Sequence, residues 1–195
     1  MTRLYTLFPY LLTYIRAVLG PLLLGVAYFS PNRAVFAVCL VAAFVSDIFD
    51  GIIARRLGIA TSALRRLDSL ADSIFYLCAL VVVWLVHPQV LWDNRAMLIA
   101  LLLLETARYV FDLWKFGREA SYHMWSSKLW GIALFAAFYA VLVVGSGRIL
   151  AKVAIGLGIV ADIEGLLISY TLQTWRHDVP TIMHARRMCS EEDIA

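Results

Sequence analysis

The sequence predicts an all-α, polytopic membrane protein whose six transmembrane helices form one bundle. Of its 195 residues, 62% are hydrophobic, and the mean hydropathy is +0.79, both above the range of an ordinary soluble domain. Apolar runs of about 20 residues, the length that crosses a bilayer, repeat along the whole chain. Six such spans with short loops use up the length, so no separate soluble domain is expected.

Turn-forming and polar residues separate the expected spans. Pro9, Gly20 and Pro21 start or bend the first span, and residues 30–33 form a turn before the second. Polar segments beginning at residues 87 and 115 divide the third, fourth and fifth spans. The second span begins near residue 34, the fifth ends near residue 145, and the others cover residues 4–29, 67–86, 96–114 and 149–175.

The residues after the sixth span are polar and mixed in charge. We therefore divide the chain into a six-helix transmembrane domain, residues 1–176, and a polar C-terminal tail, residues 177–195. The three cysteines are far apart and odd in number, so they suggest neither a metal site nor a disulfide framework. Basic residues cluster at loop ends, which argues against a nucleic-acid partner and favours anionic lipid headgroups.

Seven residues in the second and third spans form the pattern that carries the functional argument. Five of them, at offsets 0, 3, 4, 7 and 8, share one stripe of a helix. These are Asp47, Asp50, Gly51, Ala54 and Arg55. Asp68 and Asp72 share a face of the next helix, and the segment around Gly58 suits a turn between antiparallel helices. If these helices pack side by side, the four carboxylates converge on one point.

Four converging carboxylates require cations. Each aspartate near the middle of a bilayer costs roughly 2.5–3.5 kcal/mol, so four cost on the order of 10 kcal/mol. Two divalent cations would cancel the four charges, and ligation by oxygen alone suits Mg²⁺ or Mn²⁺. Such a site can hold a diphosphate and stabilise its displacement, with Gly51 and Ala54 leaving room for a ligand. The alternative is that the acids only pair with arginines of the same segment.

The pattern resembles the signature of the CDP-alcohol phosphotransferases, D-x2-D-G-x2-A-R-x8-G-x3-D-x3-D, except that Leu64 replaces the second glycine. The resemblance implies an enzyme that cleaves the diphosphate of a CDP-linked donor, transfers a substituted phosphate to an acceptor hydroxyl and releases CMP. It also implies a general base at Asp72, a cytidine bordered by Gly51 and Ala54, and donor phosphates contacted by Arg55. The implied ligands of two metal ions are Asp47, Asp50, Asp68 and Asp72.

Arg16 is the first of three basic residues expected to bind the acceptor. With Pro9 and Thr13 it resembles the family's P-N-x-x-T-x-x-R pattern, although Tyr10 stands in the place of asparagine. An arginine at this depth cannot cheaply face lipid. It therefore points inward, towards the acids or a bound phosphate, unless it snorkels to the interface.

Arg108 and Lys128 are the other two expected acceptor contacts. Glu105, three residues before Arg108, either forms an intrahelical ion pair with it or orients it towards a substrate phosphate. Lys128 lies about one turn into the fifth span, in a region that weakly resembles a lysine-containing patch of phosphatidylglycerophosphate synthases. Asp162 and Glu164 point to different faces of the sixth span, and we expect Glu164 to balance one of the buried basic residues.

Charge distribution predicts the orientation in the membrane. Of the basic residues at span ends and in loops, ten lie on one side and only Arg33, Arg95, Arg148 and Lys152 on the other. This excess places both termini and the acidic motif on the cytoplasmic side of the membrane. The length and single-domain plan resemble those of bacterial phosphatidylglycerophosphate synthases, which implies the inner membrane of a bacterial cell. Spans around the site favour the lipid donor CDP-diacylglycerol, and the basic residues favour a small phosphorylated acceptor such as glycerol 3-phosphate. A polyol, an amino alcohol or a second lipid as acceptor, and a homodimer, stay open.

Two other functions stay open at this stage. Charged residues inside spans also occur in small ion-coupled transporters, although the chain lacks the paired broken-helix repeats typical of carriers. A noncatalytic homologue that retains the metal site is the other alternative.

Overall fold

The chain is helical throughout most of its length in a computed structural model that describes residues 2–56, 61–118, 120, 122, 124–176 and 178–192. This part of the chain forms eight α-helices and one π-helical segment and contains no strand. They are α1 (Thr2–Phe29), α2 (Arg33–Arg56), α3 (Ser62–Val86), α4 (Pro88–Asp93), α5 (Arg95–Phe116), α6 (Trp125–Tyr139), the π segment (Ala140–Val144), α7 (Arg148–Thr171) and α8 (Ile182–Glu192). The all-α prediction is confirmed.

Four of the described helical stretches are long and apolar enough to cross a membrane. They are Phe8–Phe29, Arg33–Ile53, Arg66–Val86 and Trp125–Val144. At 1.5 Å per residue, their 20 to 22 residues match a hydrocarbon core of about 30 Å. Helices α5 and α7, which coincide with the fourth and sixth expected spans, are not among these four. The described residues thus support four of the six predicted spans.

Contacts within the chain divide it into two compact units. Unit 1 comprises Met1–Leu91 and Phe138–Gly147, and unit 2 comprises Trp92–Ala137 and Arg148–Ala195. The stretch predicted to be a single transmembrane domain, residues 1–176, therefore contributes to both units. The predicted tail belongs to unit 2.

In unit 1, helix α1 packs against both α2 and α3. Gly20 allows the close approach to α3, because a Cβ at this position would lie only 3.0 Å from the Cα of Phe75. Arg16 lies one turn before Gly20 and contacts Asp72, which precedes Phe75 on α3. Contacts therefore advance along both helices together, and α1 and α3 run in the same direction. The core of this unit includes Leu23, Phe36, Leu40, Ala79 and Val82.

In unit 2, helix α7 packs against α5 and α8. Gly165 of α7 leaves space for the side chain of Arg108, whose Cδ would lie 2.8 Å from a Cβ at that position. The C-terminal segment adds its own apolar residues, so the polar tail contains a helix that packs onto the rest of this unit. The buried cluster that joins them consists of Met124, Ile168, Leu172, Val179 and Ala185.

Candidate functional site

Helices α2 and α3 of unit 1 carry the four aspartates. Asp47 and Asp50 lie in the second half of α2, one turn apart. Helix α3 begins after Thr61, whose side-chain oxygen accepts a hydrogen bond from the backbone N–H of Leu64 at 3.2 Å. This N-cap sets where the helix starts, and so where Asp68 and Asp72 follow on one face. Gly58, the expected turn residue between the two helices, lies outside the described residues.

Arg16 of α1 joins the four aspartates. Its Nη1 donates to Oδ1 of Asp47 at 2.9 Å and to Oδ1 of Asp68 at 3.0 Å, and it also donates to Asp72. Its Nη2 donates to Asp50. Arg16 is only 1% exposed, so its side chain points into the protein rather than towards lipid. The spacing of the aspartates predicted a site formed by two helices, α2 and α3. The structure adds α1 as a third.

One arginine cannot satisfy this cluster. Among the side chains that the structure describes, the four carboxylates face one guanidinium, which leaves a formal charge of −3. Nη1 carries two hydrogens but faces three carboxylates, so it cannot make three good hydrogen bonds at once. The cluster therefore has unmet demand for positive charge, which a part-buried position makes more costly.

The donor set fits a hard divalent cation. One oxygen from each of Asp47, Asp50 and Asp68 lies within 4.8 Å of the others. Oxygens on opposite sides of a Mg²⁺ ion are about 4 Å apart, given ligand distances near 2.0–2.1 Å. Small rotations of these carboxylates would bring them into range. Asp72 is not part of this trio but shares Nη1 of Arg16 with Asp47 and Asp68.

The aspartates differ in their access to solvent or ligand. The side chain of Asp50 is 5% exposed, whereas those of Asp47, Asp68 and Asp72 are 46%, 35% and 34% exposed. Asp50 therefore lies at the bottom of the cluster, and the other three line its open side. Asp72 is about as exposed as Asp68, its neighbour one turn earlier on α3.

Three residues expected to bind the donor are only partly described. Gly51 follows Asp50 on α2 and is half-buried. The side chains of Ala54 and Arg55 lie outside the described part of the structure, so their predicted contacts with cytidine and phosphate stay predictions. Leu64, which replaces the glycine of the family signature, is buried in the first turn of α3.

Arg108 and Lys128 lie in unit 2 and have partners there. Nη1 of Arg108 is 3.3 Å from Oδ1 of Asp162, whose side chain is 1% exposed. Nζ of Lys128 lies 4.5 Å from the ring centroid of Trp125. Glu164, which we expected to balance a buried basic residue, instead accepts a hydrogen bond from Ser126 at 2.5 Å. That expectation was wrong, because Asp162 is the residue that α7 directs at Arg108.

A buried polar cluster in unit 2 was not predicted. Asp112 accepts a hydrogen bond from the hydroxyl of Ser169, which lies 3.1 Å from the hydroxyl oxygen of Tyr122. Burial raises the pKa of Tyr122 and the bond to Ser169 opposes that shift, so the hydroxyl stays protonated near neutral pH. Nζ of Lys115 donates to the carbonyls of residues 169 and 170 at 2.9 Å. The sequence signal that could have indicated this cluster is the position of Asp112, one helical turn after Arg108 on the same face.

Apolar helices long enough to span a bilayer and a carboxylate cluster suited to divalent cations are together typical of membrane-embedded enzymes that act on phosphorylated substrates. The family model for CDP-alcohol phosphatidyltransferase matches residues 6–163. The chain belongs to this family. Comparison with curated proteins and with solved structures gives no match.

Membership identifies the coarse activity. The chain is an integral membrane protein and a transferase, and its family uses a divalent metal ion. The matched stretch contains the four aspartates of unit 1 as well as Arg16, Arg108 and Lys128. Helix α8 lies beyond it.

Proposed function

We propose that this protein transfers the phosphatidyl group of CDP-diacylglycerol to a small alcohol and releases CMP, as a step of phospholipid biosynthesis. The observation that carries the proposal is the convergence of four aspartates from α2 and α3 on one point. Phosphoryl transfer requires positive charge around the diphosphate, and this cluster can bind that charge.

Asp47, Asp50 and Asp68 would hold divalent cations, with Asp72 beside them. Two bound Mg²⁺ or Mn²⁺ ions would neutralise the diphosphate and stabilise charge on the leaving group. The buried carboxylate of Asp50 would bind most firmly, because its surroundings exclude competing water. The trio of oxygens within 4.8 Å supports this assignment.

Asp72 would accept the proton of the acceptor hydroxyl. Its carboxylate is one-third exposed and borders the cluster, so an alcohol can approach it. A general base needs this kind of access within hydrogen-bond distance of the reacting hydroxyl. The family signature supports the same role.

The remaining donor and acceptor contacts follow from the family signature and from charge. Gly51 and Ala54 would border the cytidine, and Arg55 would contact the donor phosphates. Arg16 would bind a phosphorylated acceptor such as glycerol 3-phosphate, and the acceptor contacts predicted for Arg108 and Lys128 stay predictions. Basic side chains suit that substrate because phosphate accepts several charge-assisted hydrogen bonds. These residues carry the assignment of the acceptor, which an acceptor screen tests directly.

The lipid donor would enter from the bilayer, since the helices that carry the aspartates are themselves apolar enough to lie in it. An excess of basic residues on the side of the motif supports a cytoplasmic site with both termini cytoplasmic. Nucleotide-activated donors are available on that side. We assign the protein to the cytoplasmic membrane of a bacterium and to six spans, of which α5 and α7 supply two.

The direct test is CMP release from CDP-diacylglycerol by purified protein in lipid nanodiscs with Mg²⁺. Glycerol 3-phosphate, inositol and serine are supplied in turn, and lipid products are separated to identify the acceptor used. Asp72→Asn should lower turnover by at least about 100-fold, the range of a lost general base. Asp93→Asn is the matched control, because Asp93 lies in unit 2 at the end of α4 and pairs with Arg148 at 3.8 Å.

The outcomes separate the proposed enzyme from its alternatives. Release of CMP that depends on an alcohol and is lost in Asp72→Asn supports the transferase. Metal binding without CMP release from any acceptor favours a noncatalytic homologue. Movement of ions into sealed vesicles without turnover favours a transporter.

A further inference from the structure

The guanidinium of Arg16 engages the same carboxylates that a divalent cation would use. Nη1 lies where the Oδ1 atoms of Asp47, Asp68 and Asp72 converge. Nη2 binds Asp50, the most buried acid of the cluster. All of these contacts come from one side chain, so Arg16 acts as the counter-cation of the whole cluster.

Arg16 and a metal ion compete for this position. A divalent cation bound to these carboxylates would lie 2.0–2.2 Å from their oxygens. Nη1 of Arg16 occupies the position between those oxygens. Two positive groups a few ångströms apart in a part-buried site also repel each other strongly. The Oδ1 atoms of Asp47, Asp68 and Asp72 cannot point at a metal ion and at Nη1 of Arg16 at the same time.

We propose that Arg16 is an exchangeable counter-cation. In the metal-free protein it holds the aspartates of α2 and α3 together. When a divalent cation binds, Nη1 leaves Asp47 and Asp68, and the guanidinium becomes free to contact a phosphate of the substrate. This inference rests on the metal site of the proposed function and adds a second role for Arg16 to it.

The remaining donor of Arg16 supports the exchange. Its Nε is buried and has no hydrogen-bond partner among the described residues. A buried N–H without a partner is costly, and phosphate oxygens are strong acceptors for it. The planar guanidinium also binds phosphate through two parallel hydrogen bonds. A guanidinium released from Asp47 and Asp68 would therefore have several donors directed at one ligand.

Binding of Mn²⁺ to the protein in detergent micelles tests the competition. Free Mn²⁺ is measured by electron paramagnetic resonance for wild type, Arg16→Gln and the control Arg148→Gln. We expect Arg16→Gln to bind Mn²⁺ about tenfold more tightly or better, because a competing unit charge has left the site. Arg148→Gln, which removes a charge that is 75% exposed in unit 2, should bind as wild type does. Equal or weaker binding by folded Arg16→Gln would overturn the proposal.

Stability without metal provides a second readout. The midpoint of thermal unfolding of metal-free Arg16→Gln should lie below that of wild type, and saturating Mn²⁺ should narrow the gap. A gap that Mn²⁺ leaves unchanged would count against an exchange of cations. These measurements do not depend on turnover.

A structure of wild-type protein with Mn²⁺ covers the case in which Arg16→Gln does not fold. The proposal requires Nη1 to lie beyond 4 Å, the usual ion-pair limit, from both Asp47 and Asp68. Retention of either contact, at 2.9 Å to Asp47 or 3.0 Å to Asp68, beside bound metal would refute it. Wild type that binds no Mn²⁺ would instead overturn the metal site of the proposed function, so the two failures can be told apart.

Discussion

Gly20→Ala tests how closely α1 must approach α3. The new Cβ would lie 3.0 Å from the Cα of Phe75 and 3.3 Å from the carbonyl oxygen of Ile74. Carbon atoms normally pack at about 3.5–4.0 Å, so the first contact is short by about 0.5–1 Å. Both neighbours are backbone atoms that cannot rotate away. The helices must therefore separate by several tenths of an ångström.

Gly25→Ala is the matched control on the same helix. A Cβ on Gly25 meets nothing within 4 Å. Both substitutions remove a helical glycine and gain up to about 1 kcal/mol in helix propensity. Only Gly20→Ala adds an overpacking cost of about 1–3 kcal/mol. Gly20→Ala should thus be less stable than Gly25→Ala by about 1–3 kcal/mol.

The assay is reversible unfolding of each variant by sodium dodecyl sulfate in mixed micelles, followed by circular dichroism. Arg16 lies one helical turn from Gly20, about 6 Å along α1. Separation of α1 from α3 should therefore also weaken the contacts of Arg16 with Asp68 and Asp72, and change the Mn²⁺ affinity of Gly20→Ala. Equal unfolding free energies for the two alanine variants would refute the close packing of α1 on α3.

Two further predictions concern a buried ion pair and the residue that departs from the family signature. Asp162→Asn should lower the unfolding free energy by about 1–3 kcal/mol, since it removes the charged partner of Arg108. Asp93→Asn is the control, because the exposed pair of Asp93 with Arg148 contributes about 0–1 kcal/mol. Equal losses of unfolding free energy in the two variants would contradict a special role for Asp162. Leu64→Ala should lower the unfolding free energy by an amount at the lower end of about 2–5 kcal/mol. The loss is small for a buried leucine because the unfolded chain lies in detergent, which is as apolar as the protein core. No loss would mean that Leu64 does not pack inside unit 1.

The positions of the four aspartates follow from spacing alone. Acids at offsets of three and four residues must share a helix face, whatever the rest of the chain does. The direction of Arg16 follows from a similar argument, because a charge in lipid is costly and an acidic cluster is the cheapest partner. Spacing did not predict that Arg16 would contact all four acids, since that depends on how α1 packs between α2 and α3.

Asp162 and Glu164 show the limit of such reasoning. Two residues apart, they are about 200° apart around α7, so only one can face α5. Gly165, three residues after Asp162, lies on the face of α7 next to Arg108 and leaves space for that side chain. No local pattern distinguishes the two rotations, and the sequence argument chose the wrong one.

Composition, periodicity and one motif determined the helical class, the membrane character and the acids that make the chain a family member. These properties are local, because each depends on residues within a few turns of one another. Tertiary structure alone decided which helices meet, which acid pairs with Arg108 and how one guanidinium serves four carboxylates. Such pairings depend on helix rotation and on close contacts at single glycines such as Gly20, and distant parts of the chain determine them jointly.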